Sequence, residues 1–397
     1  MPMTRRQFGT TVAASVPAAF AAKLIGAAAE IKRPDDRFLQ ARLTALLDVT
    51  AVPGFGVGVV RDGRLAWERY QGVVEAGTKR PVSADTLFPA ASLGKPVFAY
   101  AALRLAEQGR LDLDRPLKSY VADHAPADTR GDRITARHVL SHSSGLRNWR
   151  NTLDQALVPD FDPGARFQYS GEGFYYLQRA IEKIAGCAIQ PFMDDALFRP
   201  FGMGSSTYAW RPDTDAQLVF GHNRGTMARG QRDFNLRMVA HAGQQQKPLA
   251  AFTHDDLVAA MKAVPSSPPP LPNFIPTNVA ASLITTVHDY ASFLTHLLAP
   301  GAGPGEVSAA MRERMLSPQI RLNHALAWGL GWGIETMSGR EYIWHWGDNG
   351  TIKNFVLAHV PSRSAVVVFT NAAQGMRLAE AIVNEASDSE HLAFDWL

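Results

Sequence analysis

The chain has 397 residues, 46% of them hydrophobic and 19% charged, with a formal net charge of +3. That balance is globular and excludes a disordered or collagen-like chain. A single cysteine, Cys187, excludes an internal disulfide and a thiolate metal cluster; set among Ile184, Ala185, Ala188 and Ile189, it reads as a small core residue.

Taken in order, Thr4-Arg5-Arg6-Gln7-Phe8 precedes a mildly apolar run from Gly9 to Ile25 and the small-residue stretch Ala27-Ala28-Ala29. This pattern predicts a twin-arginine-type export signal over 1–29 and a periplasmic or secreted mature chain. The run is short and broken by Pro17, so no stable membrane anchor is expected after its removal. Arg5, Arg6 and Lys23 carry the whole formal net charge, which leaves the mature chain near neutral and without a nucleic-acid footprint.

Residues 35–48 carry Phe38, Leu39, Leu43, Leu46 and Leu47 at helical spacing. Phe55 to Val60 alternates as a strand, Asp62-Gly63 is a hairpin turn, and Leu65 to Val74 returns. Phe88 to Lys95 opens a buried, Ala-rich helix that stops at Gly109. It holds the only S-x-x-K of the chain, Ser92 and Lys95. Three residues apart on a helix, their Cβ atoms lie roughly 5–6 Å apart, within reach for an amine to take a hydroxyl proton. A helix start with an exposed lysine is the bland alternative.

His138 and His142 are four apart, but Val139 stands where a zinc-protease pattern needs glutamate, so packing or turn roles are expected and no metal. Tyr169 precedes a Ser170-Gly171 corner and an aromatic-rich helix; it reads either as a packing residue or as a second proton handler. Residues 212–275 are polar, with a proline-rich run at 265–270 and one short helix from Thr253 to Val264, and read as an irregular insert. Asn278 to Leu297 reads as helical. Strands follow over Ala327–Glu335, Tyr342–Trp346, Asn354–Val360 and Ala365–Thr370, then a helix over Gln374–Ala386. The expected fold is α+β and two-lobed. An antiparallel sheet of about five strands flanked by helices (about 35–90 and 325–390) joins a mostly helical lobe (about 91–324) in one domain over 30–390.

The order S-x-x-K, tyrosine corner, then His345-Trp346-Gly347 near the carboxy terminus resembles the serine β-lactamase and penicillin-binding superfamily, in particular class C-related esterases and peptidases. Leu111-Asp112-Leu113-Asp114, Leu140-Ser141-His142-Ser143-Ser144-Gly145-Leu146 and Pro200-Phe201-Gly202-Met203 fit the same framework. The resemblance implies cofactor-free acyl transfer with Ser92 as nucleophile and Lys95 and Tyr169 sharing the proton work. His345 matches the lysine of the family's K-T-G, where its ring would bind substrate or bias the tyrosine. The backbone N–H groups of Ser92 and Asp348 would form an oxyanion hole, and Gly347 would let substrate lie against the strand edge. Two departures stand out. Gly171 replaces an asparagine common in relatives, which weakens β-lactam and amide recognition more than ester cleavage, and Trp346 fills a position usually small or hydroxylated. Glu172, next to Gly171, reads as a surface helix-start acid, with a substitute polar group for the missing asparagine as the alternative. The expected activity is an exported serine hydrolase of small esters or amides. A β-lactamase or D-amino-acid peptidase, and a non-catalytic penicillin- or peptide-binding protein, are the alternatives.

Overall fold

A computed structural model describes residues 30–397 apart from 125, 153, 212, 224–225, 228–229, 266–274, 299–302 and 304. The export segment and most of the proline-rich run therefore lie outside the described residues.

The strands are β1 (Gly54–Arg61), β2 (Arg64–Gly72), β3 (Phe88–Ala91), β4 (His222–Asn223), β5 (Thr226–Met227), β6 (Leu283–Thr285), β7 (Ile320–Arg321), β8 (Leu326–Trp328), β9 (Gly333–Met337), β10 (Arg340–Asp348), β11 (Lys353–His359) and β12 (Ser364–Thr370). The helices are α1 (Leu43–Thr50), α2 (Gly94–Glu107), α3 (Ala136–Leu140), α4 (Gly171–Ala185), α5 (Ile189–Met193), α6 (Gly230–Gln244), α7 (His254–Ala263), α8 (Val287–Leu298), α9 (Ala309–Leu316), α10 (Gly375–Ser387) and α11 (Leu392–Trp396). An antiparallel sheet runs in the order β2-β1-β12-β11-β10-β9-β8-β7, and β3 pairs separately with β6. The α+β architecture expected from the sequence is the one observed.

Strand β1 shows how the two faces are set. Phe55, Val57 and Val59 share one core with Leu378, Ile382 and Val383 of α10, as the period of two along a strand requires. Gly56 and Gly58 face the other way, where a Cβ on either would come within 2.7 Å of Val287. Only glycine lets α8 settle this close on the sheet.

Four expectations change. The sheet has eight strands rather than about five. Gly331, at φ +94°, falls between β8 and β9 and breaks the long 327–335 stretch, while β7 adds an edge. The stretch from Asn278 is helical only from Val287, because its first part forms a turn and then β6. The insert read as irregular contains α6, whose Phe234, Met238 and Ala242 recur every fourth residue and are buried. Cys187 is exposed rather than in the core, because the chain has just left α4 at the left-handed Gly186.

Candidate active site

Ser92 sits on the turn between β3 and α2, after Ala91 at φ +52°. A left-handed alanine costs roughly 1–2 kcal/mol and persists only where its surroundings impose it. Here the surroundings are explicit. Leu93 N–H donates to Ala90 O at 3.1 Å and Lys95 N–H to Ser92 O at 3.0 Å. The hydroxyls of Tyr290 and Tyr208 donate to the carbonyls of Leu93 and Gly94 at 3.1 and 2.6 Å. Asn354 donates to Pro89 O at 3.0 Å, tying β11 to β3.

Lys95 is 1% exposed, and its Nζ lies 2.9 Å from Ser92 Oγ and 2.8 Å from Ala280 O. Burial holds the amine well below its ordinary pKa. Nζ donates to both oxygens, and an amine with its pKa lowered can give up a proton and turn its lone pair to the serine hydroxyl. The Ala280 carbonyl is itself fixed. Asn278 Oδ1 accepts from Ala280 N–H at 2.9 Å, and Gln178 accepts from Val279 N–H and donates to Thr277 O, both at 3.0 Å.

Tyr169 enters α4 just ahead of its cap, Ser170, whose Oγ accepts from Gly173 N–H at 2.9 Å. The tyrosine ring is partly exposed, but its hydroxyl oxygen is buried and faces Ser92. Burial raises its pKa; Ser92 opposes that shift and the Asp348 charge adds to it. Lys95 Nζ lies 4.8 Å from the centre of the ring. His142, fully buried at φ +53°, holds Tyr169 from both sides in sequence: its carbonyl accepts from Gln168 N–H at 2.7 Å and its Nδ1 from Ser170 N–H at 3.0 Å.

His345 is fully buried, and its Nδ1–H donates to Trp346 O at 2.7 Å, which leaves Nε2 as an acceptor without a partner among the described residues. Burial chiefly holds its pKa down to about 3, so it is neutral and supplies no cation. Trp346 lies against Tyr169, with ring centres 4.7 Å apart. Asp348 closes the β10–β11 turn, accepting from Gly350 N–H at 2.7 Å and pairing with Lys353. A Cβ at Gly347 would lie 2.3 Å from the Ala90 carbonyl oxygen, so this glycine lets β10 approach the strand that carries Ser92.

At Gly171 a Cβ would lie 2.3 Å from Cζ2 of Trp149, so an indole fills the space that a side chain at this position would need. Glu172 is not a surface acid: it is 1% exposed and its Oε1 accepts from Arg150 N–H and Nε–H at 3.0 and 2.8 Å. His138 completes a capping box with Thr135 at the start of α3. Among the described residues no group of three or more His, Cys, Asp or Glu is placed to hold a metal ion, and no helix is long and apolar enough to cross a membrane. Ala280, His142 and Trp149 join the predicted residues around Ser92 and Gly171.

A family profile described as Beta-lactamase matches residues 39–387. Esterase EstB of Burkholderia gladioli is 25% identical over 348 residues, covering 74% of this chain and 86% of that protein. Lovastatin esterase of Penicillium rubens is 29% identical over 182 residues, 36% of this chain and 45% of that protein. Penicillin-binding protein 4* of Bacillus subtilis is 27% identical over 164 residues, 36% of this chain and 35% of its own. Among solved structures, a class C beta lactamase from Rhodobacter sphaeroides superposes with a TM-score of 0.67 at 15% identity, covering 89% of this chain and 99% of that one. An octameric penicillin-binding protein homologue from Pyrococcus abyssi gives 0.69 at 19% identity, covering 90% and 78%. These two likenesses concern the fold.

Proposed function

The chain belongs to the beta-lactamase family of serine hydrolases acting on ester or amide bonds, and from that premise we propose that it cleaves small carboxylic esters through an acyl-enzyme on Ser92. The observation that carries this reading is the buried Lys95 amine, 2.9 Å from Ser92 Oγ, with a carbonyl rather than a carboxylate as its second neighbour. Among the described residues no carboxylate partners that amine, so burial lowers its pKa unopposed and eases the loss of its proton. Lys95 takes the serine proton as Oγ bonds to the ester carbonyl carbon, and the departing alkoxide recovers a proton as the C–O bond breaks. Water then attacks the acyl-enzyme, with Tyr169 and Lys95 relaying its proton back to Ser92, and the acid leaves.

The backbone N–H groups of Ser92 and Asp348 are assigned to the oxyanion. Such donors are typically worth about 2.7–4 kcal/mol each. His345, neutral and buried, acts through its surroundings rather than as a cation on substrate. Esters are favoured over β-lactams because the indole of Trp149 lies where relatives place an amide-recognising asparagine. The two esterases among the relatives support the same preference.

Release of p-nitrophenol from short acyl esters, measured beside a chromogenic cephalosporin, tests the reading. Faster ester turnover that disappears in Ser92→Ala supports it, while faster cephalosporin hydrolysis, or stable acylation without turnover, contradicts it. We also propose export through the Arg5-Arg6 signal. Fractionation of expressing cells and amino-terminal sequencing of the mature chain test that: recovery of an intact residue 1 from the cytoplasm contradicts it.

A further inference from the structure

Tyr169 is held by its neighbours rather than by secondary structure. It lies on an irregular stretch just before α4, and its ring is partly exposed. Trp346 lies against that ring at 4.7 Å between centres, and Trp328 meets it edge-on at 6.2 Å. Both indoles touch a third, that of Trp396 on α11, at 5.7 and 6.4 Å. Trp396 also meets Phe167, two residues before the tyrosine, at 5.6 Å. It therefore reaches Tyr169 through three of that residue's neighbours.

The helix that carries Trp396 is not self-supporting. Leu392–Trp396 has five residues, whereas isolated helices are marginal below roughly 12–15. Its N-cap residue, His391, makes no side-chain cap. Glu335, a fully buried acid on β9, takes that place. Its Oε1 accepts from Leu392 N–H and its Oε2 from Ala393 N–H, both at 3.2 Å, and His391 Nδ1 lies 3.3 Å from Oε1. His391 Nε2 lies 2.9 Å from Oγ of Ser387, which ends α10, and Phe394 stacks on Phe355 of β11 at 4.0 Å. Apolar groups in place of a buried ion pair are often as stable or more so, and what such a pair can supply is one arrangement in place of several. This one fixes where α11 begins, and Trp396 follows Leu392 by one helical turn.

Resting on the acyl-transfer reading, we infer that Trp396 is a positioning residue for Tyr169. The Glu335 clasp sets α11, α11 sets the Trp396 indole against Trp346 and Phe167, and these hold the tyrosine hydroxyl at Ser92.

The test is steady-state turnover of p-nitrophenyl acetate by the purified full chain, with the rate of fluorophosphonate labelling at Ser92 as a readout that needs no ester turnover. Trp396→Ala should lower kcat by about 10-fold or more and slow labelling in parallel, as a reacting group held loosely does. KM should move by less than about 2-fold. Trp396→Phe, which keeps a ring in place, should recover most of the loss. In a Trp346→Ala background Trp396→Ala should cost much less than it does alone, because the contact that transmits it is gone. Melting temperatures accompany each variant; Trp396→Leu, which keeps apolar bulk, replaces the alanine variant in the comparison if that one fails to fold. A lowered melting temperature with kcat and labelling unchanged means that Trp396 only packs, and overturns the inference. A raised KM at constant kcat, or an equal loss in both backgrounds, overturns it as well; each of these leaves acyl transfer standing. Absence of ester turnover in the parent chain, with labelling still slowed by Trp396→Ala, overturns the ester reading and keeps the positioning role. A parent chain unlabelled at Ser92 overturns both.

Discussion

The imidazole of His142 lies 4.1 Å from the ring of Tyr169, centre to centre, and accepts a 3.0 Å hydrogen bond from the very next backbone N–H, that of Ser170. With the His142 carbonyl bonded to Gln168 N–H, one residue fixes the backbone on both sides of the tyrosine. His142→Leu leaves the Ser170 N–H buried and unpaired, a loss of about 1–3 kcal/mol. It should also lower kcat roughly 10²-fold, as misplacement of a reacting group by an ångström does, while KM moves little. Asn accepts at the same position and tolerates the left-handed backbone, so His142→Asn should recover most of kcat. Steady-state kinetics on both variants measure this; a KM effect without a kcat effect contradicts the positioning role.

Lys95 has no acid beside it, and its burial works against stability. The unfolded chain keeps its amine protonated up to about pH 10.4, whereas burial favours the neutral amine in the folded chain. Lys95→Met should therefore raise the melting temperature at pH 7 while lowering kcat by roughly 10²–10⁴-fold. Calorimetry and ester turnover on the same preparation check the two halves together. A lower melting temperature would mean that the amine is charged and paired.

Acid should destabilise the protein earlier than its carboxylates require. His345 has a folded pKa of about 3 and His142 is also held well below the ordinary 6.5, both chiefly by burial. As pH falls through 6.5 the unfolded chain takes up these protons and the folded chain does not. Stability is full above 6.5 and is lost as pH falls towards 3, by about 1.4 kcal/mol per pH unit for each histidine. Urea midpoints between pH 4 and 7 measure the slope. His345→Asn, which keeps a donor near the Nδ1 position, should flatten it by about one proton.

Gly171 and Trp149 should behave as a pair. Any side chain at 171 meets the indole, so Gly171→Ala should cost about 1–3 kcal/mol, the range for overpacking. Gly171→Asn combined with Trp149→Gly should regain stability over Gly171→Asn alone and raise cephalosporin turnover relative to ester turnover. Chemical denaturation and paired kinetics test the coupling; additive effects would show that the two residues do not share the space.

That Ser92, Lys95 and Tyr169 come together was legible because their order along the chain is distinctive. The Ala280 carbonyl was not, since a backbone oxygen leaves no mark on sequence and reaches Lys95 across 185 positions. Glu172 looked like a first-turn surface acid because its partner, Arg150, lies 22 residues away on another segment. The buried stripe of α6, Phe234, Met238 and Ala242 with Val239 beside it, is narrow, and Leu236 and Ala240 lie off it, so it does not stand out by period. Gly347 was legible as a close approach, and among the described residues the Ala90 carbonyl approaches it.

The central claim is that Ser92 is the nucleophile activated by Lys95. A fluorophosphonate probe on the purified mature chain, with the adduct mapped by peptide mass spectrometry, addresses it most directly. The account predicts one adduct, on Ser92, formed faster as pH rises, strongly slowed in Lys95→Met and absent in Ser92→Ala. Labelling that persists in Ser92→Ala, or maps to another residue, would contradict it.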